Sequence, residues 1–312
     1  MIKRRYYQKD FIINTKIKPI CKVSEEHSDY IRNIILLHDG RLASCGDDKL
    51  INIYNKNSHK CEISMKGHKD YIYYINQLDD GRIISCSADK SIRFWGISDS
   101  TYECLKTINN AHGDIINKVI PLTEHRIASC SDDKSVKIWS DDSYECLVNF
   151  NKSKTKIKSI LQLKDGRLIS SEYQTFPKSV TFWDLSEYEA EISIKNVGCN
   201  YPNAISEYED NKIIICNDNE IKIIDSNSYE IVKSVKIEDI SYIYSCLIFK
   251  NGNGLFGCNG LLFEYNFNTE DLFYKLNMHC DNIVAIHELY DKIIATASLD
   301  RTIKIWIYEG SV

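Results

Sequence analysis

The sequence predicts an all-β protein built as a closed ring of seven four-stranded antiparallel sheets. Three observations carry that prediction. The run Gly81-Arg82-Ile83-Ile84-Ser85-Cys86-Ser87-Ala88-Asp89-Lys90-Ser91-Ile92-Arg93-Phe94-Trp95 is nearly repeated from Arg126 to Trp139 and from Ala295 to Trp306, and in grammar from Gly40 to Tyr54. Equivalent end points at 54, 95, 139, 183, 224, 265 and 306 lie 41, 44, 44, 41, 41 and 41 residues apart, so seven units fill the chain. Apolar residues alternate at strand period, as in Ser91-Ile92-Arg93-Phe94-Trp95, and no helical period competes.

Within a unit the elements follow a fixed order. An apolar run forms the first strand and ends in a turn such as Asp80-Gly81-Arg82 or Glu209-Asp210-Asn211-Lys212. A strand of small residues follows, then a tight Asp-Lys turn and an alternating third strand. The fourth, outer strand reads Cys61-Glu62-Ile63-Ser64-Met65 in one unit and Tyr144-Glu145-Cys146-Leu147-Val148 in another. Four strands at this period form one blade of a β-propeller. Only six residues follow Trp306, so the last blade lacks its outer strand unless Ile17 to Val23 supplies it. That pairing closes the ring and removes an exposed edge. The expected organisation is a short basic arm over residues 1–16, carrying Lys3-Arg4-Arg5, and a single domain over residues 17–312.

One residue set keeps its spacing from unit to unit. His68, Ser85, Asp89 and Trp95 stand 17, 4 and 6 residues apart, and so do His112, Ser129, Asp133, Trp139 and His279, Thr296, Asp300, Trp306. The first unit has His27, Ser44 and Asp48, with Tyr54 in place of Trp. On these motifs the chain resembles the WD40-repeat family of β-propellers. The resemblance implies that each set is a structural hydrogen-bond network within a blade. The residues themselves agree: a hydrolase triad occurs once, whereas this set recurs in register, each polar group satisfying the next.

The resemblance also implies a non-catalytic scaffold that binds a peptide or protein on its top face, as a subunit of a larger complex. Family contact positions are the third and fifth residues after each His and the residue before the turn Asp, all expected to be exposed. They fall on Tyr30, Arg32 and Asp47, on Tyr71, Tyr73 and Ala88, on Ile115, Asn117 and Asp132, and on Asn282, Val284 and Leu299. Aligning the degenerate units on their apolar residues Ile157 and Ile243 adds Lys156, Lys158, Tyr242 and Tyr244, with Tyr201 and Asn203 from the fifth unit. Six tyrosines around one face suit an interface, because tyrosine joins large contact area to a hydroxyl at low entropic cost.

An alternative partner is suggested by Asn151-Lys152-Ser153-Lys154-Thr155-Lys156-Ile157-Lys158, where lysines alternate and would share one side of an extended chain. This strip suits a phosphopeptide, a ubiquitin-like surface, a phosphoinositide or a ribonucleoprotein. The same unit lengthens its second turn through residues 172–178 and loses the turn Asp, so units four to six depart from the pattern.

Composition sets the outer limits. The 312 residues are 43% hydrophobic and 27% charged, with net charge −5, which argues against nucleic acid as a partner outside a larger complex. No apolar stretch nears the roughly 18 residues a membrane span needs, so no membrane insertion is expected. No signal peptide is recognisable, and the expected location is the cytoplasm, with the nucleus as the other choice. The 12 cysteines include no CxxC pair. Cys21, Cys61, Cys104 and Cys146 read as equivalent outer-strand positions, and Cys45, Cys86, Cys130, Cys216 and Cys258 as second-strand positions. They are expected to pack as small hydrophobes, with no metal and no cofactor. No glycine-rich phosphate loop, HExxH or Gly-x-Ser-x-Gly occurs, and no enzymatic activity is expected.

Overall fold

Strands of small and β-branched residues can be buried on both faces, and that is what the second strand of each unit does. Leu42–Gly46, Ile83–Ser87 and Asn253–Gly257 are buried at every residue, whereas the outer strands Cys61–Lys66 and Glu189–Lys195 stand largely in solvent. Burial therefore peaks at the second strand of each sheet and falls off to the outer one. The computed structural model describes residues 17–23, 27–98, 101–151, 153–173, 178–209, 211–290 and 292–309. The basic arm, Lys152 and the turn residues 174–177 lie outside them.

The described strands form seven four-stranded antiparallel sheets, each hydrogen-bonded in chain order from the axis outward except the last. Blades 1 to 6 span residues 31–66, 72–108, 116–150, 156–195, 205–236 and 245–277. Blade 7 takes residues 283–308 and receives Ile17–Val23 as its outer strand. The inner strands Ile31–Leu36, Ile72–Gln77, Ile116–Leu122, Lys156–Gln162, Ile205–Glu207, Ser245–Ile248 and Ile283–Tyr290 neighbour one another in that order, and the last touches the first.

The apolar core lies between blades rather than within them. One cluster joins blades 1 and 2 through Ile35, Ile51, Ile75 and Trp95, and another joins blades 7 and 1 through Ala295, Ile305, Ile31 and Tyr54. The largest runs without interruption through blades 4, 5 and 6, from Phe182 through Ile213 and Ile223 to Phe256. These are the three blades whose sequence departs from the repeat.

A second repeat is invisible in the text. In each of blades 1 to 6 the register shifts by one residue at Tyr54, Trp95, Trp139, Trp183, Ile224 and Tyr265, where the outer strand bulges. The closing strand bulges at the equivalent place, with Pro19 opposite Trp306 and Cys21 opposite Ile305. Such a bulge raises local twist and turns the outer strand across its neighbour. Its recurrence shows that Ile17–Val23 is built as an ordinary outer strand.

Register also corrects three sequence readings. Cys61, Cys104 and Cys146 do sit opposite Tyr54, Trp95 and Trp139, but the equivalent residue in the closing strand is Pro19, not Cys21. Cys146 is exposed, because an outer strand has solvent on one side. Cys258 lies one place beyond the buried series Cys45, Cys86, Cys130 and Cys216; Gly257 holds that place in blade 6. The outer strand of blade 3 begins at Cys146, since Tyr144 has φ 63° and belongs to the turn before it.

Adjacent blades are also fastened at the bottom rim. In three of the four cases the arginine that ends an Asp-Gly-Arg turn reaches a tyrosine hydroxyl of the next blade: Arg41 to Tyr102 at 3.2 Å, Arg82 to Tyr144 at 3.1 Å and Arg167 to Tyr229 at 2.9 Å. Arg126 makes the same reach to Tyr188 at 3.4 Å. Arg82 and Arg167 add bonds to the carbonyls of Asp141 and Ser226. The turns hold their arginines out because Gly40, Gly81 and Gly166 take φ of 84°, 91° and 93°, a region costly for other residues.

Replacing Ile17–Val23 with a Gly-Ser segment leaves Ile303–Tyr308 as an open edge. The single sharp thermal transition should then become broad and begin at lower temperature, as followed by circular dichroism. An unchanged sharp transition would show that the ring holds without its clasp.

Candidate functional site

The spaced His, Ser/Thr, Asp and Trp residues meet inside their blades. In blade 2, His68 Nε2 bonds Ser85 Oγ at 2.7 Å and His68 Nδ1 bonds Asp89 Oδ2 at 2.9 Å, while Trp95 Nε1 donates to Ser85 Oγ at 2.8 Å. Blade 3 repeats this with His112, Ser129, Asp133 and Trp139, and blade 7 with His279, Thr296, Asp300 and Trp306. In blade 1, Tyr54 takes the tryptophan's part, its hydroxyl 2.8 Å from Ser44 Oγ, with His27 bonded to Ser44 and Asp48. The Asp accepts further bonds, in blade 2 from Ser91 Oγ and the Lys69 N–H. The histidines are buried, and the sets anchor the top loops to the sheets.

Burial pushes the His68, His112 and His279 imidazoles below their ordinary pKa, against the opposing pull of Asp89, Asp133 and Asp300. Burial works against the three carboxylates too. Bonds from the histidines, from Ser91, Ser135 and Thr302, and from backbone N–H groups nevertheless hold them well below the usual carboxylate range.

The degenerate blades solve the same problem in other ways. In blade 4, Trp183 Nε1 still donates to Ser170 Oγ at 2.8 Å, and Glu172 replaces the turn Asp by accepting from Ser179 Oγ at 2.9 Å and Thr155 Oγ1 at 3.4 Å. Blade 5 abandons the network: register puts Ile215 where Ser85 stands in blade 2, and Ile224 where Trp95 stands.

At the top of the ring the first residues of the inner strands converge on the axis. Arg32, Tyr73, Asn117, Lys158, Tyr244 and Val284 come from the fifth position after the His or its equivalent. With Tyr173, Asn200, Tyr201 and Pro202 they line a cavity of about 220 Å³, so all seven blades contribute to one channel mouth. The Arg32 guanidinium sits between the rings of Tyr30 and Tyr73, 5.7 and 5.3 Å from their centroids. The Tyr201 and Tyr244 rings meet at a tilt of 39°, their centroids 4.2 Å apart. One layer deeper, buried Lys118 donates from Nζ to the Pro202 carbonyl at 2.8 Å and to Ser159 Oγ at 3.4 Å, over the face of Tyr74.

Several expected contact residues are placed otherwise. Asp47 and Asp132 are only 5% and 6% exposed and serve as counter-ions. Asp47 takes the forked Arg32 guanidinium, and Asp132 takes Lys156 and Lys158 at 2.7 Å each together with the Asn117 amide. Lys156 and Lys158 of the lysine strip are thus drawn onto Asp132, while Lys154 stays exposed. Tyr244 is buried in the mouth, whereas Tyr30, Tyr71 and Tyr242 remain 39%, 40% and 42% exposed around it. Sequence reasoning missed Lys118, Tyr173, Asn200 and Pro202 as site residues. Lys118 carried a signal, being the residue next to a contact position on an otherwise apolar strand.

A family model described as WD domain, G-beta repeat matches residues 59–96, 102–140 and 271–306. These segments end in the three blades with a complete His, Ser/Thr, Asp and Trp set. No curated protein gives a significant match to the chain.

The buried histidines bind protons more readily when unfolded, so their contribution is complete above the ordinary histidine pKa near 6.5 and declines as pH falls below it. The carboxylates contribute above about 4 and lose that contribution as pH drops towards their lower folded values. The melting temperature should therefore be level from pH 8 to 7, fall from 6.5 to 5 and fall further below 4; a level profile to pH 4 contradicts the network. Ser129→Ala strands both His112 and Trp139 and should cost about 2–4 kcal/mol in denaturant melts, roughly twice Ser170→Ala.

Proposed function

Because the chain is a WD40-repeat β-propeller, a fold that generally serves as a non-catalytic protein-interaction scaffold, we propose that it holds a peptide or protein partner over the channel mouth as a subunit of a larger complex. The observation that carries this reading is the convergence of all seven blades on one aromatic-walled mouth. Around it Tyr30, Tyr71 and Tyr242 offer exposed rings that need no rearrangement to meet a partner. Tyr73, Tyr201 and Tyr244 form the wall, and Arg32 is held rigid by Asp47 rather than left to swing. A preorganised surface loses little side-chain entropy on binding.

The partner is a protein or peptide, with an acidic or phosphorylated segment in keeping with the basic groups at the mouth. No helix of the described residues is long and apolar enough to cross a membrane. No disulfide joins cysteines of the described residues, which agrees with a reducing compartment, and we place the protein in the cytoplasm or nucleus. Imaging of a fluorescent fusion checks this.

The test of the scaffold reading uses the exposed rings, since Tyr244 is too buried to replace without disturbing the fold. Tyr71→Ala with Tyr242→Ala should leave the melting temperature within a degree or two of wild type. The double variant should lose the partners that wild type retains in affinity capture followed by mass spectrometry. Equal recovery by both proteins would show that partners dock elsewhere.

A further inference from the structure

On the bottom rim, blade 3 buries a charge that the repeat does not call for. The second residue after the aromatic or Ile that marks the third strand is Leu185 in blade 4, Ser226 in blade 5, Phe267 in blade 6 and Tyr308 in blade 7, all buried. In blade 3 it is Asp141, only 6% exposed. Its backbone is the ordinary one: the Asp141 N–H donates to the His125 carbonyl, as those of Ser226 and Phe267 donate to Asn211 and Gly252. The carboxylate is what differs, and its Oδ1 is buried and accepts no hydrogen bond. Arg82 Nη2 stands 3.6 Å away, but this guanidinium directs its N–H groups to the Asp80 carboxylate, the Asp141 carbonyl and the Tyr144 hydroxyl. Burial pushes the Asp141 carboxyl up, and Asp142 and Asp80 push the same way against Arg82 and His125.

A buried carboxylate without hydrogen bonds is costly unless a cation meets it. Asp141 and His125 line one cavity of about 170 Å³, with Asp79, Asp80 and Glu124 around it. Arg82 takes Asp80 at 2.6 Å and Arg126 takes Glu124 at 2.9 Å, so negative charge remains in excess. His125 Nδ1 lies 3.5 Å from Asp141 Oδ1. Two donors on one tetrahedral zinc stand roughly 3.4 Å apart, so this pair already has the spacing of one edge of a zinc site. The Asp142 carboxylate completes a set of three whose donor atoms all lie within 4.8 Å of one another. The His125 side chain is 75% exposed, so its ring can turn and admit an ion without disturbing the core. An imidazole nitrogen among carboxylate oxygens suits zinc better than magnesium or calcium, which prefer oxygen alone.

We propose that His125, Asp141 and Asp142 form a zinc site that clips the turn before the second strand of blade 3 to the turn after its third strand, with water in the remaining positions. The site stands on the rim opposite the channel mouth and is independent of the scaffold reading. No cysteine belongs to it, which is why cysteine spacing gave no sign of it. His125 occupies the place of Gly40, Gly81 and Gly166 in blades 1, 2 and 4, and of Asn211, Gly252 and Lys292 in blades 5 to 7, so blade 3 alone offers an imidazole there.

Isothermal titration of the full-length protein, first stripped of metal with a chelator, with zinc chloride tests this. Wild type should take up one zinc per chain in a distinct tight event, and its melting temperature should rise with added zinc. His125→Ala and Asp142→Asn change exposed side chains, so both should fold and melt as wild type does without zinc. Each should weaken the tight event about tenfold or more and lose the zinc-dependent rise in melting temperature. His38→Ala, which removes another exposed histidine beside a carboxylate, Asp39, should bind zinc as wild type does. Excess magnesium should leave the zinc in place. No zinc uptake, or uptake equal in wild type and either variant of the set, overturns the site. Equal losses in His38→Ala and His125→Ala overturn it too, since they mark loose binding by surface histidines, and displacement by magnesium overturns the assignment to zinc.

Discussion

Antiparallel pairing of Ile17–Val23 with Ile303–Tyr308 is the constraint on which the rest depends. Every other strand pair in the described residues joins neighbours in sequence, so each blade folds from local hairpins. Local hairpins set a blade's shape but not its place in a circle. Only the pairing of the two ends fixes seven inner strands around one axis, and only then do Arg32 and Val284, from opposite ends of the chain, share one cavity. The long loop closed by this pairing carries an entropic cost that grows slowly with length, which a seven-residue strand and its hydrogen-bond ladder offset.

Within blades, the polar networks follow an all-or-none logic. A serine that accepts from tryptophan and bonds to histidine is valuable while all its partners remain, and a liability once one is lost. Blade 5 accordingly replaces serine and tryptophan together with Ile215 and Ile224 and joins the continuous apolar cluster of blades 4 to 6. Blade 4 keeps half of the arrangement and repairs the other half with Glu172. The irregular half of the ring is thus packed by shape where the regular half is held by directed bonds.

Much of the fold was legible in the text, since repeat spacing reports a repeated geometry and the missing outer strand after Trp306 pointed to Ile17. The mouth was partly legible. The fifth position after each histidine located Arg32, Tyr73 and Asn117, and alignment on Ile157 located Lys158, because a repeat puts equivalent residues at equivalent depths. What could not be read was pairing between blades: Asp132 looked like an exposed turn residue because its lysine partners lie in the next unit. Asn200 escaped notice because an irregular connection brings it to the axis, Tyr173 because it ends a second strand rather than starting an inner one, and Cys21 was misassigned because a bulge moves the register without marking the sequence.

The arginine–tyrosine bonds of the bottom rim run from blade 1 to blade 5 and stop there. Lys212 and Asn253 occupy the places where an arginine would continue the series. A bond spanning two blades resists shear between them, and blades 5 to 7 make such bonds with other residues: Tyr208 to Asn268 at 3.4 Å, Lys233 to Glu270 at 2.9 Å and Asn253 to the Tyr308 hydroxyl at 3.3 Å. Tyr244 and Val284 stand on blades outside the arginine–tyrosine series, and Arg32, Tyr73 and Lys158 on blades within it. The two walls of the channel mouth thus rest on joints of different chemistry, so losing the rim arginines would loosen one wall and leave the fastenings of the other in place.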